Sequence, residues 1–149
     1  MRVLIQRVTE ASVSIDGAIV GKIGKGMLIL LGVKVGDTQA EADFLADKCL
    51  GLRIFSDAEG KMNLALNDVQ GEILVVSQFT LYGDARKGRR PSYIEAAQPP
   101  VSEPLYEYFV EKLRQSGIKV ETGRFGADMA VSLINDGPVT LIIEKDNTK

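Results

Sequence analysis

Histidine is missing from all 149 residues. That excludes Ser-His-Asp and Cys-His nucleophilic machinery and any imidazole metal ligand. Cysteine occurs once, as Cys49, so no intrachain disulfide forms and the chain suits a reducing compartment. Cys49 shares an apolar helical stripe with Phe44, Leu45 and Leu52. Nothing beside it in sequence lowers a thiol pKa, and it reads as a small core residue. No apolar run reaches membrane-spanning length, and Met1–Arg7 carries charges in a strand-like pattern without a signal-peptide h-region. There is no GxxxxGK[ST] phosphate loop, and Gly24-Lys25-Gly26 reads as a turn. The expectation is a soluble, cytoplasmic protein with one domain over residues 1–149, using no metal and no cofactor.

What is present builds a β-rich core. Period-2 patterns and apolar runs predict strands near 2–8, 11–15, 18–24, 27–33, 52–56, 72–79, 118–123 and 139–144. Asp16-Gly17 is a hairpin signal, since both residues tolerate positive φ. Thr38-Gln39-Ala40-Glu41 is a capping box opening a helix that carries the Cys49 stripe. A second helix starts at a Ser102 cap with Pro104 in its first turn. It buries Leu105, Phe109 and Leu113 and stops at Gly117. These elements predict an α/β fold of antiparallel-rich mixed sheets in two layers, with helices packed on one face.

Two polar inserts adjoin core strands: Ser77-Gln78-Phe79-Thr80-Leu81 follows Ile73–Val76, and Asn135-Asp136-Gly137-Pro138-Val139-Thr140 leads into Leu141–Ile143. Polar groups at the end of a rigid strand are where binding and catalytic groups are best held. Ser77 and Thr80 are candidate nucleophiles, yet an alcohol without a neighbouring base is weak. Asp84 is the nearest carboxylate in sequence and serves equally as a turn residue. The other route leaves the protein to supply positioning and backbone N–H donors. The longest aperiodic stretch, Gly83 to Val101, contains Arg86-Lys87-Gly88-Arg89-Arg90, four cations in five residues of a chain with net charge −2. That run is either a solvated turn or a local grip on a phosphate or nucleic acid.

These inserts, the opening Met1-Arg2-Val3-Leu4-Ile5-Gln6-Arg7-Val8 and the segment Lys87-Gly88-Arg89-Arg90-Pro91-Ser92-Tyr93 resemble the D-aminoacyl-tRNA deacylase family, from the first residue to about Glu144. The resemblance implies a homodimer that hydrolyses the ester joining a D-amino acid, or glycine, to the 3′-terminal adenosine of tRNA. It implies RNA-assisted catalysis by the terminal 2′-OH at a segment formed by Gln78, Phe79 and Thr80, with the N–H groups of Phe79 and Thr80 on the oxyanion. Ser77, Gly137, Pro138, Val139, Thr140 and Arg7 become substrate-side residues, and Arg86, Lys87, Arg89 and Arg90 become tRNA contacts. The family's Gly-Pro peptide is cis and enters the partner's site, rejecting L-amino acids by clash. Arg7 would clamp that motif; it reads equally as an exposed strand charge. Met129 reads as core, although the family places a methionine near the site. The alternative is a tRNA- or nucleotide-binding module of the same fold without turnover.

Overall fold

The computed structural model describes residues 1–147. Its organising element is β1 (Arg2–Ile15), a single 14-residue strand where the sequence pattern predicts two. The split prediction has a physical source. Arg7 and Val8 are both buried and Thr9 and Glu10 both exposed, which breaks the two-residue alternation. The pairing of β1 shifts register between Gln6 and Val8 and again between Val8 and Glu10. A bulge of this kind turns the side chains over: Val3 and Ile5 enter one core, whereas Val8, Ala11 and Val13 enter another.

One edge of β1 pairs antiparallel with β3 (Gly26–Gly32) through its first half and with β2 (Ala18–Ile23) through its second. The hairpin between β1 and β2 turns on Asp16 and Gly17, with φ of 50° and 82°, as their residue types predict. Strands β3, β6 (Glu72–Ser77) and β7 (Val120–Thr122) run parallel to one another. The order is β2-β1-β3-β6-β7, with β8 (Ala130–Glu144) on the other edge of β1. The sheet curls until β2 lies over β7: a Cβ added to Gly21 would stand 2.6 Å from Thr122 O. Leu28, Leu74, Val76 and Ile23 fill the inside of the curl. Met27, Ile29, Leu31, Ile73 and Val75, their alternates, face the helix layer. The α/β class with a mixed, antiparallel-rich sheet holds, and both helices cover one face.

Helix α1 (Gln39–Gly51) begins at the predicted capping box, Thr38 with Glu41. Its inward face differs from the predicted stripe. Leu45 and Cys49 are buried with Ala42 and Ala46, and Leu52 caps the end, but Phe44 is 41% exposed. Phe44 lies under the ammonium groups of Lys48 and Lys145, at 5.5 and 4.9 Å, a cation–π use for an outward aromatic.

Helix α2 (Pro99–Arg114) corrects the predicted cap: it starts after Gln98, with prolines in its first two positions. Proline is tolerated there because those N–H groups have no helical partner. Ser102 is therefore interior and buried, and Pro104 lies in the second turn. Leu105, Phe109 and Leu113 are buried as predicted, and Gly117 takes a left-handed φ of 86° beyond the end.

Two further predicted strands change in extent. The one near 52–56 shrinks to β4 (Phe55–Ser56), which pairs with the unpredicted β5 (Met62–Leu64). The one near 139–144 is only the second half of β8, whose first half precedes the Asn-Asp-Gly-Pro insert.

Burial pushes the Cys49 thiol up to about 12. At pH 8 that leaves about one thiolate in ten thousand, and the thiolate is the reactive form. Native protein should therefore resist a thiol reagent at pH 8 and label stoichiometrically only in denaturant, as read by mass spectrometry.

Candidate active site

Parallel strands share a direction, so β3, β6 and β7 leave their carboxyl ends on one edge of the sheet. In open α/β sheets ligands bind at such an edge. A cavity of about 560 Å³ lies there, walled by Leu31 and Val33 from the end of β3, Val76 to Phe79 from the end of β6, and Phe125 to Met129 after β7. Gln98, Pro99 and Ser102 close it from the start of α2. The lining is mostly apolar with a few polar groups, the usual character of a small-molecule site.

The predicted Ser77–Leu81 segment forms this edge. After Ser77 the chain turns into a short 3₁₀ helix, Phe79–Tyr82, whose first residue follows Gln78 with no side-chain cap. The opening N–H groups of a helix have no acceptor within it, and those of Phe79 and Thr80 have no backbone acceptor among the described residues. Phe79 lines the cavity, whereas Thr80 is not among its lining residues. The Thr80 hydroxyl accepts a hydrogen bond from Gln78 Nε2, and an amide nitrogen cannot take a proton from it. Asp84, the nearest carboxylate in sequence, is held by Arg86 through two side-chain contacts of 2.9 and 2.8 Å. Those bonds hold its carboxyl down at about 2, which makes it a poor base near neutrality.

Behind the turn lies a support that the sequence pattern did not reveal. Arg2 donates to Leu81 O, pairs with Glu144 at 3.0 Å and covers the Tyr82 ring at 4.5 Å. The residues around Phe125–Met129, Tyr93 and Ser102 were also missed as lining. The absence of either periodicity between Gly123 and Met129 was the available signal. Met129, read as core, is both: it packs partly buried against the inner core and lines the cavity.

The second insert lies elsewhere. Gly137, Pro138, Val139 and Thr140 sit in the middle of β8 and are not among the cavity's lining residues. The Gly137–Pro138 peptide is cis. Arg7 is no exposed strand charge: it is buried, with Nη1 on Ile54 O at 2.7 Å, Nε on Asp136 O at 3.1 Å and the Asp136 carboxylate at 3.3 Å. Gly137 has φ of 128°, and an added Cβ would stand 3.1 Å from Arg7 Nη2, so only glycine fits under the clamp. Asn135 completes the frame by accepting from Val139 N at 3.1 Å and donating to Thr140 Oγ1 at 2.9 Å.

The basic run crowns a loop whose neck is closed by Asp84 and Ser92, which exchange two backbone hydrogen bonds of 2.8 Å. Arg86, Lys87, Arg89 and Arg90 are all exposed. Arg86 is tied to Asp84, whereas the other three have no ion-pair partner among the described residues.

A cavity at the carboxyl ends of parallel strands, with few polar groups on an apolar lining, defines a small-molecule site on an α/β scaffold. The chain belongs to the D-Tyr-tRNA(Tyr) deacylase family, which matches residues 4–144. It is similar to a D-aminoacyl-tRNA deacylase of Thermosipho melanesiensis, with 59% identity over 97% of both chains. A D-aminoacyl-tRNA deacylase of Brevibacillus brevis is also 59% identical, over 97% of this chain and 99% of that one. A solved structure described as a c-Myc DNA unwinding element binding protein superposes with a TM-score of 0.92 at 41% identity, covering 98% of this chain and 99% of that one. The fold also recurs in a structure described as a probable eukaryotic D-amino acid tRNA deacylase, with a TM-score of 0.83 at 19% identity over 95% and 97% of the two chains.

Replacing Arg7 by Met leaves Ile54 O and Asp136 O without their donor. The orphaned Ile54 O, which is buried, costs about 1–3 kcal/mol, and the part-buried Asp136 O costs less because water reaches it. The denaturation midpoint in urea should fall accordingly, with Arg7→Lys intermediate.

Proposed function

We propose that this chain hydrolyses the ester joining a D-amino acid, or glycine, to the 3′-terminal adenosine of tRNA, in the cytoplasm and as a homodimer. The observation that carries this reading is the strand-end turn: Phe79 opens an uncapped 3₁₀ turn at the wall of a cavity of about 560 Å³, and Thr80 follows it in that turn. Family membership supplies the substrate class.

In this reading the protein positions and the RNA reacts. The terminal ribose carries a 2′-OH beside the esterified 3′ oxygen, and this hydroxyl holds a water against the ester carbonyl. The water oxygen bonds the carbonyl carbon, the acyl–O3′ bond breaks and a proton from the water passes to O3′. That alignment contributes up to about 7–11 kcal/mol through proximity. Attack by that water puts negative charge on the carbonyl oxygen of the ester, which the Phe79 and Thr80 N–H groups stabilise; one such donor contributes about 3–4 kcal/mol. Gln78 orients the Thr80 side chain, and Ser77 lines the cavity beneath it.

Chirality is set by a wall, not by recognition of a D side chain. Gly137 and Pro138 lie on β8 and are held rigid by Arg7 and Asn135, which suits them to line a second copy's cavity. Val139 and Thr140 continue that wall. An L side chain meets it, a D side chain points away, and glycine has nothing to clash. Exposed Ile134, Leu141 and Ile142 put apolar groups on both faces of β8, where a second copy would cover them.

The chemistry is tested on D- and L-Tyr-tRNA. Wild type should hydrolyse only the D ester. Thr80→Ala should keep substantial activity, because its N–H remains, and a 2′-deoxy terminal adenosine should abolish hydrolysis. A dead, folded Thr80→Ala that coexists with normal turnover of the deoxy substrate would instead assign a protein nucleophile.

The loop is tested by salt dependence. Neutralising Lys87, Arg89 and Arg90 should weaken tRNA binding and reduce the slope of log K against log salt by about one for each phosphate that is no longer neutralised. Arg86→Gln should change it least, because Asp84 already holds that charge.

A further inference from the structure

We infer that Tyr93, flanked by Phe79 and Ile94, is a stacking platform for the nucleobase that precedes the terminal adenosine of the RNA substrate. The inference rests on the deacylase reading and extends the site from one nucleotide to two.

Phe79 and Tyr93 stand together at the cavity without joining either core, and Ile94 follows Tyr93 in the chain. Phe79 is 56% exposed, Tyr93 38% and Ile94 85%. Phe79 and Tyr93 both line the cavity. Their rings meet edge to face, with centroids 5.1 Å apart at 70°, an arrangement that fixes the pair and leaves ring surface uncovered.

The seat of the Tyr93 ring is built from the turn that carries the free N–H groups. Gly83 has φ of −67° and ψ of 127°, which any residue adopts. What a side chain lacks there is room: an added Cβ would stand 2.9 Å from Tyr93 Cε1 and 3.1 Å from Thr80 O. The ring therefore lies directly against the backbone that follows Thr80.

The occupant follows from charge. Tyr93 comes directly after the Asp84–Ser92 neck, and Lys87, Arg89 and Arg90 sit on the loop above that neck. A polyanionic single strand that leaves the cavity and brings its phosphates to these cations passes over Tyr93 and Ile94. An aromatic surface beside a basic track is how unpaired nucleic acid is held, and the stacking tolerates any base because each has a π face. Ile94 adds apolar contact along the base edge.

The test compares two D-tyrosyl esters, of adenosine and of the dinucleotide cytidylyl-adenosine. Wild type should show a higher kcat/KM on the dinucleotide. Tyr93→Ala should lower kcat/KM on the dinucleotide by about fivefold or more beyond any loss on the mononucleoside, the scale expected of one stacked base. Tyr93→Trp should keep the dinucleotide advantage, and Ile94→Ala, at a largely solvated position, should reduce it partway. A second readout needs no turnover: 2-aminopurine in the penultimate position of a non-hydrolysable RNA end should be quenched by wild type and not by Tyr93→Ala. Equal losses on both esters, no wild-type advantage on the dinucleotide, or absent quenching would each overturn the platform. Quenching without hydrolysis of either ester would leave the platform standing and remove the deacylase reading instead.

Discussion

The long β1 strand is the constraint from which the rest follows. A strand of this length must pair along both edges or leave buried amide groups without partners. Here β8 takes one edge, and β3 and β2 divide the other. The register shifts near Val8 let the two halves face different cores, so one ladder supports both the helix-covered face and the inside of the curl. Without that crossover of side chains, β2 could not lie over β7 and the sheet would stay open.

The curl in turn fixes where chemistry can happen. Within it the parallel pairing of β3, β6 and β7 sets their carboxyl ends on one rim, and the segments that follow each strand become the walls of the cavity. The reactive apparatus proposed for that rim consists of main-chain groups at the start of a 3₁₀ turn. Arg2 braces the far end of that turn, reaching from the start of β1 to Leu81 O while bound to Glu144 at the end of β8. One guanidinium thus couples the longest ladder of the sheet to the turn at the site.

Local signals were legible in the sequence wherever they were chemically strong. The Thr38–Glu41 box, the Asp16-Gly17 turn and the Leu105–Phe109–Leu113 stripe all appear where their residues place them. What failed depended on distant partners. Pro99-Pro100 looks like a loop breaker but opens α2, because a first helical turn needs no N–H. Phe44 fits an inward stripe but is held outward by Lys48 and by Lys145, which comes from the far end of the chain. The strand end at Ser77–Phe79 was readable as a candidate site because polar residues interrupt an apolar run, and it lines the cavity. The walls from Phe125 to Met129 were not, because only the parallel pairing of β6 and β7 brings them there. Arg7 read equally as a clamp and as a solvent-facing charge, and only its contacts with Ile54 and Asp136 decide between the two.

The insert in β8 also bears on how the chain behaves in a crowded solution. An edge strand of 15 residues would ordinarily offer a continuous row of donors and acceptors to a passing chain. Pro138 contributes no N–H, Val139 N is occupied by Asn135, and Gly137 breaks the extended backbone with its positive φ. The row is divided into two shorter pieces, 130–136 and 139–144, so no continuous 15-residue edge is offered. The polar insert thus interrupts the hydrogen-bonding edge that β8 offers to another chain, an obstacle to edge-to-edge association.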